Sequence, residues 1–425
     1  MTRHPSMSQP NLELIPLHGA IVTQQPMTLD VLIRITPPAL PATTERAALN
    51  LSLVIDRSGS MRGPKIQQAC EAACFAVENL LPSDRLSVVL FDNRITTLIP
   101  STLATDKQAL MAEIRKIRSG GSTALHDGWV EGGTQVSQYL HPNQLNRIIL
   151  FSDGQANVGE TRPDAISNDV HGLAQRGVST STLGIGQGYN EDLLAAMAAS
   201  GDGNFFHIES ADQLADIFET ELSGLAATVG QRVSLGVEPQ NGVKVLDVLN
   251  DFELTNTQRY KLPNLAVGSP INVVVRLQIP ALPQATELFT VRLAWDDRHQ
   301  AGRQTLRAGL ELPTVSPEQF SDFPADETVQ QQVALLMAAR ARAEAIAFSD
   351  RGDLRSAQAA LSDARSGFAG LSPSPAMAAE QAALQDLETD YAAGRSASAR
   401  KKAVSQRFSL SRRGQSNPRR SMKDD

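Results

Sequence analysis

Three short segments of the chain carry oxygen-bearing side chains at spacings that suit a metal site. A carboxylate and two hydroxyls alternate at Asp56, Ser58 and Ser60. A second segment ends in the hydroxyl of Thr123, and a third ends in the carboxylate of Asp153. These two carboxylates and three hydroxyls are hard oxygen ligands, so they suit Mg²⁺ or Mn²⁺ and leave coordination positions for water or an incoming carboxylate.

The segments follow runs that have the character of buried strands. NLSLVI, LSVVLF, RIILFS and VSTSTLGI are nearly continuous apolar runs, and helix-like sequence such as KIQQACEAACFAVENLL separates them. This alternation predicts a mostly parallel sheet with helices on both faces. Because ligands bind at the carboxyl ends of such strands, we predict a doubly wound α/β domain over residues 48–226 with the candidate ligands at one sheet edge.

The sequence on both sides of this domain predicts β-structure. Alternating apolar and polar residues over 11–40 predict strands, and runs such as INVVVRLQIP and ELFTVRLAW over 228–313 predict an all-β domain. We interpret the two stretches as one β-sandwich into which the α/β domain is inserted.

The C-terminal part of the chain has a different composition. Alanine-rich periodic segments over 318–393 predict a helical hairpin followed by a third helix. Residues 394–425 are strongly basic, with ten Lys or Arg and two Asp from Arg395 onward, and they lack hydrophobic periodicity. We therefore expect this basic tail to be disordered, and we expect the same of the N-terminal residues 1–10.

Composition excludes several classes of protein. The 425 residues carry a net charge of −7 and are 41% hydrophobic, as in ordinary globular proteins. No run of about 18 apolar residues occurs and the opening lacks the apolar core of a signal peptide, so we expect a cytoplasmic protein without a membrane span. The acidic remainder of the chain disfavours nucleic-acid binding except through the basic tail.

The candidate ligands resemble the metal-ion-dependent adhesion site of von Willebrand factor A domains, including those of bacterial intracellular members. The D-x-S-x-S motif of that family matches Asp56, Ser58 and Ser60, its threonine matches Thr123, and its second aspartate matches Asp153. The resemblance covers a little under half of the chain. It implies that the hydroxyls supply oxygens to the ion directly or through water and that the aspartates contact the ion or its waters. It also implies that an Asp or Glu of a protein partner completes the octahedron.

Other readings of these residues lead to different functions. The resemblance favours a non-enzymatic, metal-dependent protein-interaction scaffold. A metal-dependent hydrolase would use the same ion to activate water, but the sequence offers no His pair, Cys–His couple or second carboxylate cluster as a general base. The basic tail could instead bind a polyanion through counterion release. A purely structural role for Asp56 and Ser60 as helix caps would leave Thr123 and Asp153 unexplained.

Overall fold

The computed structural model of the chain describes residues 9–39, 47–141, 144–153, 155–209, 212–297 and 302–413. The chain divides into two compact units. One is continuous and spans Thr43–Ala227, and the other combines Met1–Ala42 with Thr228–Asp425. We call them the α/β unit and the split unit. Of the two ends predicted to be disordered, residues 1–8 and 414–425 lie outside the described residues.

Seventeen strands and ten α-helices are found in the described residues. The strands are β1 (Asn11–Pro16), β2 (Ile21–Val22), β3 (Met27–Thr36), β4 (Leu49–Asp56), β5 (Arg85–Phe91), β6 (Ile95–Leu103), β7 (Leu145–Ser152), β8 (Val178–Ile185), β9 (Asp202–Ile208), β10 (Thr228–Pro239), β11 (Lys244–Val248), β12 (Tyr260–Lys261), β13 (Leu265–Ala266), β14 (Ile271–Ile279), β15 (Thr286–Asp297), β16 (Arg303–Leu312) and β17 (Thr314–Val315). The helices are α1 (Pro64–Asn79), α2 (Lys107–Ile114), α3 (Leu125–Ser137), α4 (Pro163–Gln175), α5 (Glu191–Ser200), α6 (Asp212–Ala226), α7 (Glu327–Asp350), α8 (Leu354–Ser366), α9 (Pro375–Ala392) and α10 (Ser396–Arg413).

The α/β unit contains a six-stranded sheet in the order β6-β5-β4-β7-β8-β9. Every strand is parallel to its neighbours except β6, which pairs antiparallel with β5 at the edge. Strands β4 and β7 are buried along their whole length, because helices cover both faces. Helix α1 packs on the face that carries Leu51 and Leu53. On the opposite face, Gly132 of α3 lies so close to Val54 that an added Cβ would overlap it. The predicted doubly wound α/β fold is confirmed.

The split unit contains two antiparallel sheets. Their strand orders are β1-β3-β14-β11 and β12-β10-β15-β16, with β13 also paired to β10. Strand β3 precedes the α/β unit in the chain, yet it pairs along its length with β14, which follows that unit. Side chains of both sheets, including Ile33, Val273 and Leu293, form one apolar core. Our interpretation of the two sheets as a β-sandwich rests on this shared core.

Four helices follow the sheets, so the C-terminal helices predicted from the sequence are confirmed. Helices α7 and α9 both contact α8 and α10. A buried ion pair joins Arg342 of α7 to Glu380 of α9, and Arg342 Nε also donates to Gln406 Oε1 of α10 at 2.9 Å. These three side chains therefore connect three helices. Because a buried charge is costly without its partner, removing one member of the ion pair would destabilise this connection. No helix within the described ranges has the length and hydrophobicity needed to cross a bilayer.

The prediction that residues 394–425 are disordered is wrong for residues 396–413, which form α10. Ala399, Ala403 and Leu410 are each at most 1% exposed. Their spacing of four and seven residues places them on one side of the helix. Alanine is only weakly hydrophobic, so the apolar periodicity of this basic stretch is faint in the sequence.

Ion pairs engage three of the six basic residues of α10. Three of its cations contact acidic residues that are remote in sequence, namely Arg400 with Asp350 at 2.8 Å, Lys402 with Asp390 at 3.0 Å and Arg407 with Asp251 at 2.9 Å. Half of the positive charge of α10 is therefore paired with acids of the same chain. Composition alone cannot identify partners at such distances along the chain.

The buried face of α10 leads to a testable prediction. We expect Ala399→Asp to lower the stability of the helical part by about 3 kcal/mol, because the substitution buries an unpaired carboxylate. Thermal unfolding of the intact chain, monitored by circular dichroism, measures the change. Ala397→Asp is the matched control, because Ala397 is exposed in the same turn. Equal melting curves for both variants would show that this segment does not dock.

Candidate functional site

Strand β4 ends at Asp56, and the carboxylate of this residue is fully buried. The backbone N–H of Ser58 donates to its Oδ1 at 2.8 Å, and Ser152 Oγ donates to its Oδ2 at 2.8 Å. Since Ser152 ends the neighbouring strand β7, the second bond joins the carboxyl ends of two parallel strands. Both oxygens of Asp56 are thus held in a fixed orientation.

Burial raises the pKa of Asp56 to about 6. Hydrogen bonds from Ser58 and Ser152 lower this pKa, and the nearby charge of Asp153 raises it further. The surroundings therefore destabilise the ionised carboxylate relative to the same group in water. A cation beside Asp56 would favour the ionised form, which is the form that a metal ligand requires.

The serine hydroxyls lie between the two aspartates. Ser58 Oγ and Ser60 Oγ are 3.0 Å apart, and Ser60 Oγ donates to Asp153 Oδ1 at 2.7 Å. A single 3₁₀ turn, Gly59–Met61, redirects the chain between β4 and α1 and presents both serines at this edge. Asp153 directly follows β7 and is fully buried. The structure thus brings Asp56, Ser58, Ser60 and Asp153 together at the ends of β4 and β7.

The loop that carries Thr123 is joined to the same edge through the backbone. The N–H of Gly59 donates to the carbonyl of Gly121 at 2.9 Å, which ties this loop to the serine segment. Thr123 is buried, and its N–H donates to Asn157 Oδ1 at 3.0 Å. The structure therefore places the loop of Thr123 against the serine segment, and the backbone of Thr123 is held by Asn157.

Gly121 is required where these two loops cross. Its φ is +88°, a conformation that side chains other than glycine rarely adopt. An added Cβ would also lie 2.7 Å from Asn93 Oδ1 and 2.9 Å from the Cβ of Asp92. Asp92 is itself held by Arg57, whose Nε is 3.0 Å from Asp92 Oδ2. The close approach of the loops therefore depends on the absence of a side chain at this position.

A lysine completes the cluster. Lys65, in the first turn of α1, contacts Asp153 Oδ2 through its ammonium group, and Lys65 Nζ also donates to the carbonyl of Ser60 at 3.3 Å. Its side chain is 32% exposed, whereas that of Asp153 is 0% exposed. The buried carboxylate is thus neutralised from the open side of the site.

Sequence reasoning assigned no role at the site to three residues that the structure places there. They are Lys65, Ser152 and Asn157, which contact Asp153, Asp56 and Thr123 respectively. Two of them carried a positional signal, because Ser152 directly precedes Asp153 and Lys65 lies five residues after Ser60. Asn157 belongs to a loop without regular structure, where spacing carries little information about contacts.

The donor set suits a hard divalent cation. Among the described residues, no group of three or more His, Cys, Asp or Glu side chains is placed to hold a metal. Any ion at this edge would therefore need the serine hydroxyls as well as the carboxylates, and Mg²⁺ or Mn²⁺ accepts such oxygen ligands. The ammonium of Lys65 beside Asp153 indicates that the site already accommodates positive charge.

A groove of about 990 Å³ begins beside these loops. Helix α1 lines one side, and Ser119, which directly precedes Gly120 and Gly121, lies on the other side together with Arg115, Ile117 and Arg118. Cys70 and Cys74 lie in its wall as free, buried thiols. Burial raises the pKa of Cys70 to about 11, so this thiol stays protonated and unreactive near neutral pH.

Comparison with known proteins identifies the family of the α/β unit. Residues 50–220 match the family model of the von Willebrand factor type A domain. The chain is 26% identical to the uncharacterized protein sll0103 of Synechocystis over 320 residues, which are 71% of this chain and 74% of that protein. It is 30% identical to the uncharacterized protein YfbK of Escherichia coli over 300 residues, or 67% of this chain, and it spans only about half (52%) of YfbK.

The likeness in fold extends over nearly the whole chain. A solved structure described as von Willebrand factor type A from Catenulispora acidiphila aligns with a TM-score of 0.69 at 16% identity, covering 96% of this chain and 98% of that one. The fold of this chain is therefore shared with that solved protein. The chain contains a von Willebrand factor type A domain.

Proposed function

We propose that the chain is a metal-dependent protein-interaction module. In this proposal Asp56, Ser58, Ser60, Thr123 and Asp153 hold Mg²⁺ or Mn²⁺, directly or through water, and the ion binds an Asp or Glu side chain of a protein partner. The observation that carries the proposal is the convergence of two buried carboxylates and two hydroxyls at the ends of β4 and β7. Domains of the von Willebrand factor A type commonly mediate metal-dependent interactions between proteins.

The charge of the proposed ligands explains the preference for an acidic partner. Three of the five proposed groups are neutral hydroxyls. The bound cation is therefore less fully compensated than in an all-carboxylate site, and it attracts an external anionic ligand. A carboxylate from a partner can replace a bound water and gain a charge-assisted contact, whereas a Lys or Arg would be repelled. The groove next to α1 offers space for the partner residues that flank this carboxylate.

The same geometry argues against hydrolysis as the main function. A metal-activated water needs a general base within hydrogen-bond reach. Asp56 and Asp153, the two carboxylates of the site, each have both oxygens engaged by donors. We therefore propose a binding function without catalysis. The free thiols of Cys70 and Cys74 are compatible with the cytoplasmic location that belongs to this proposal.

The structure also weakens the alternative that the basic tail binds a polyanion. Arg400, Lys402 and Arg407 of α10 are engaged by acidic residues of the same chain. Binding of a phosphate-rich partner by these cations would require those pairs to break. These three cations of α10 thus have a structural role.

Metal binding is tested by removing one carboxylate charge. We expect Asp56→Asn to weaken Mn²⁺ binding by more than about tenfold while the fold is retained, because an amide keeps the shape and one acceptor but not the charge. Isothermal titration calorimetry measures the affinity. Asp106→Asn is the matched control, since Asp106 is an exposed helix cap of the same unit and asparagine caps equally well. Equal Mn²⁺ affinities of the wild type, Asp56→Asn and Asp106→Asn would show that Asp56 does not contribute to metal binding.

Metal removal should leave the fold intact. The α/β unit has a continuous apolar core that does not include the proposed ligands, so protein treated with EDTA should still unfold cooperatively. Mn²⁺ at about 100 times its Kd should then stabilise it by about 2.7 kcal/mol. Calorimetric melting with and without the ion tests both statements. Apo protein without a cooperative transition would contradict the first.

Partner binding should depend on both the ion and an acid. We expect a partner captured from native lysate in Mg²⁺ to be released by EDTA and to be absent with the Asp56→Asn bait. Changing the acidic contact residue of that partner to its amide should abolish binding, because the amide cannot offer a negative charge to the ion. If the partner stays bound in EDTA, it is recognised by a surface other than the metal site.

A further inference from the structure

Lys65 holds a position that the proposed function does not use. Its ammonium contacts one oxygen of Asp153 and the carbonyl of Ser60, and its stem passes over Gly186, where an added Cβ would lie 3.2 Å from Lys65 Cε. Gly186 has a φ of +71°, so the backbone there also favours glycine. The lysine side chain therefore extends from α1 past the turn that follows β8, and the glycine of that turn leaves room for it.

The oxygens of Asp153 are fully engaged in this arrangement. Ser60 Oγ donates to Oδ1, and the ammonium of Lys65 contacts Oδ2. A carboxylate that is 0% exposed would be costly without a counter-charge, and Lys65 supplies it from a partly exposed position. A divalent ion that approaches Asp153 meets a cation already in contact with this carboxylate.

We propose that Lys65 is the resident counter-cation of the site, which neutralises Asp153 in the metal-free protein and is displaced from it when the divalent ion binds. This inference rests on the proposed function, because it concerns the same metal site. Metal affinity is then the result of an exchange between an ammonium group and a divalent ion. Both the competition for Oδ2 and the repulsion between the two cations act against the metal.

The exchange has a consequence for the metal-free state. With Lys65 in contact with Asp153, the site keeps its geometry when no ion is present, so the loops do not depend on metal for their order. Without the ammonium group, the buried carboxylate of Asp153 loses its neutralising partner. The apo protein then becomes less stable, and the ion stabilises it by a larger amount.

Lys65→Met tests the exchange with the metal alone, since methionine keeps much of the stem and removes the charge. We expect its Mn²⁺ affinity, measured by calorimetry at low salt, to be about tenfold tighter than that of the wild type. Lys65→Gln, which keeps a neutral donor, should shift the affinity in the same direction if Lys65→Met does not fold. Lys116→Met is the control, because Lys116 is an exposed lysine of the same unit and its loss changes the net charge equally.

A second measurement does not involve metal. In EDTA, Lys65→Met should melt at a lower temperature than the wild type, and the double variant Lys65→Met with Asp153→Asn should regain part of the loss, because it no longer buries an unpaired carboxylate. Lys65→Met affinity equal to or weaker than that of the wild type, or an apo melting temperature that does not fall, would overturn the exchange while leaving the proposed function in place. Absence of metal binding in every protein, the wild type included, would instead overturn the proposed function.

Discussion

Two carboxylates buried at the ends of adjacent strands impose the main constraint on this molecule. Asp56 and Asp153 are both 0% exposed, and the charge of Asp153 contributes to the raised pKa of Asp56. Removing a carboxylate from water is costly unless donors or cations surround it. The chain meets this requirement with serine hydroxyls, a backbone N–H and an ammonium group. The polar composition of this edge follows from the need to neutralise two charges in a small volume.

The rigidity of the surrounding frame makes this arrangement possible. Strands β4 and β7 are buried along their length and pair in register, so the positions of the residues that follow them are fixed to each other. Loops approach one another where glycine leaves room, as Gly121 does beside Asp92. Polar groups can therefore be held at hydrogen-bond distance by a backbone that strand pairing and burial already stabilise.

The sequence was most informative where one physical signal dominates. Continuous apolar runs predicted the parallel sheet, and chemistry at strand ends predicted the place where Asp56 and Asp153 meet. Prediction was wrong for α10, because its buried face contains small alanines such as Ala399 and because its cations pair with acids such as Asp350 that only the folded chain brings near. The role of Lys65 at the site was not predicted for a similar reason, since only the fold brings the first turn of α1 beside Asp153.

The pairing of β3 with β14 has a consequence for biosynthesis. Arg276 and Asp30, which form an ion pair across these two strands, are separated by 246 residues in the chain. At a synthesis rate of about 5–20 residues per second, β3 emerges from the ribosome roughly 10 to 50 seconds before its partner strand β14 exists. During that interval the continuous α/β unit is completed and can bury its own core, whereas the buried side chains of β3, such as Ile33, still lack the opposing sheet. The nascent chain therefore passes through a stage in which the α/β unit can already fold while the apolar side chains of β3 have no opposing sheet, and an exposed apolar strand of this kind is prone to aggregation.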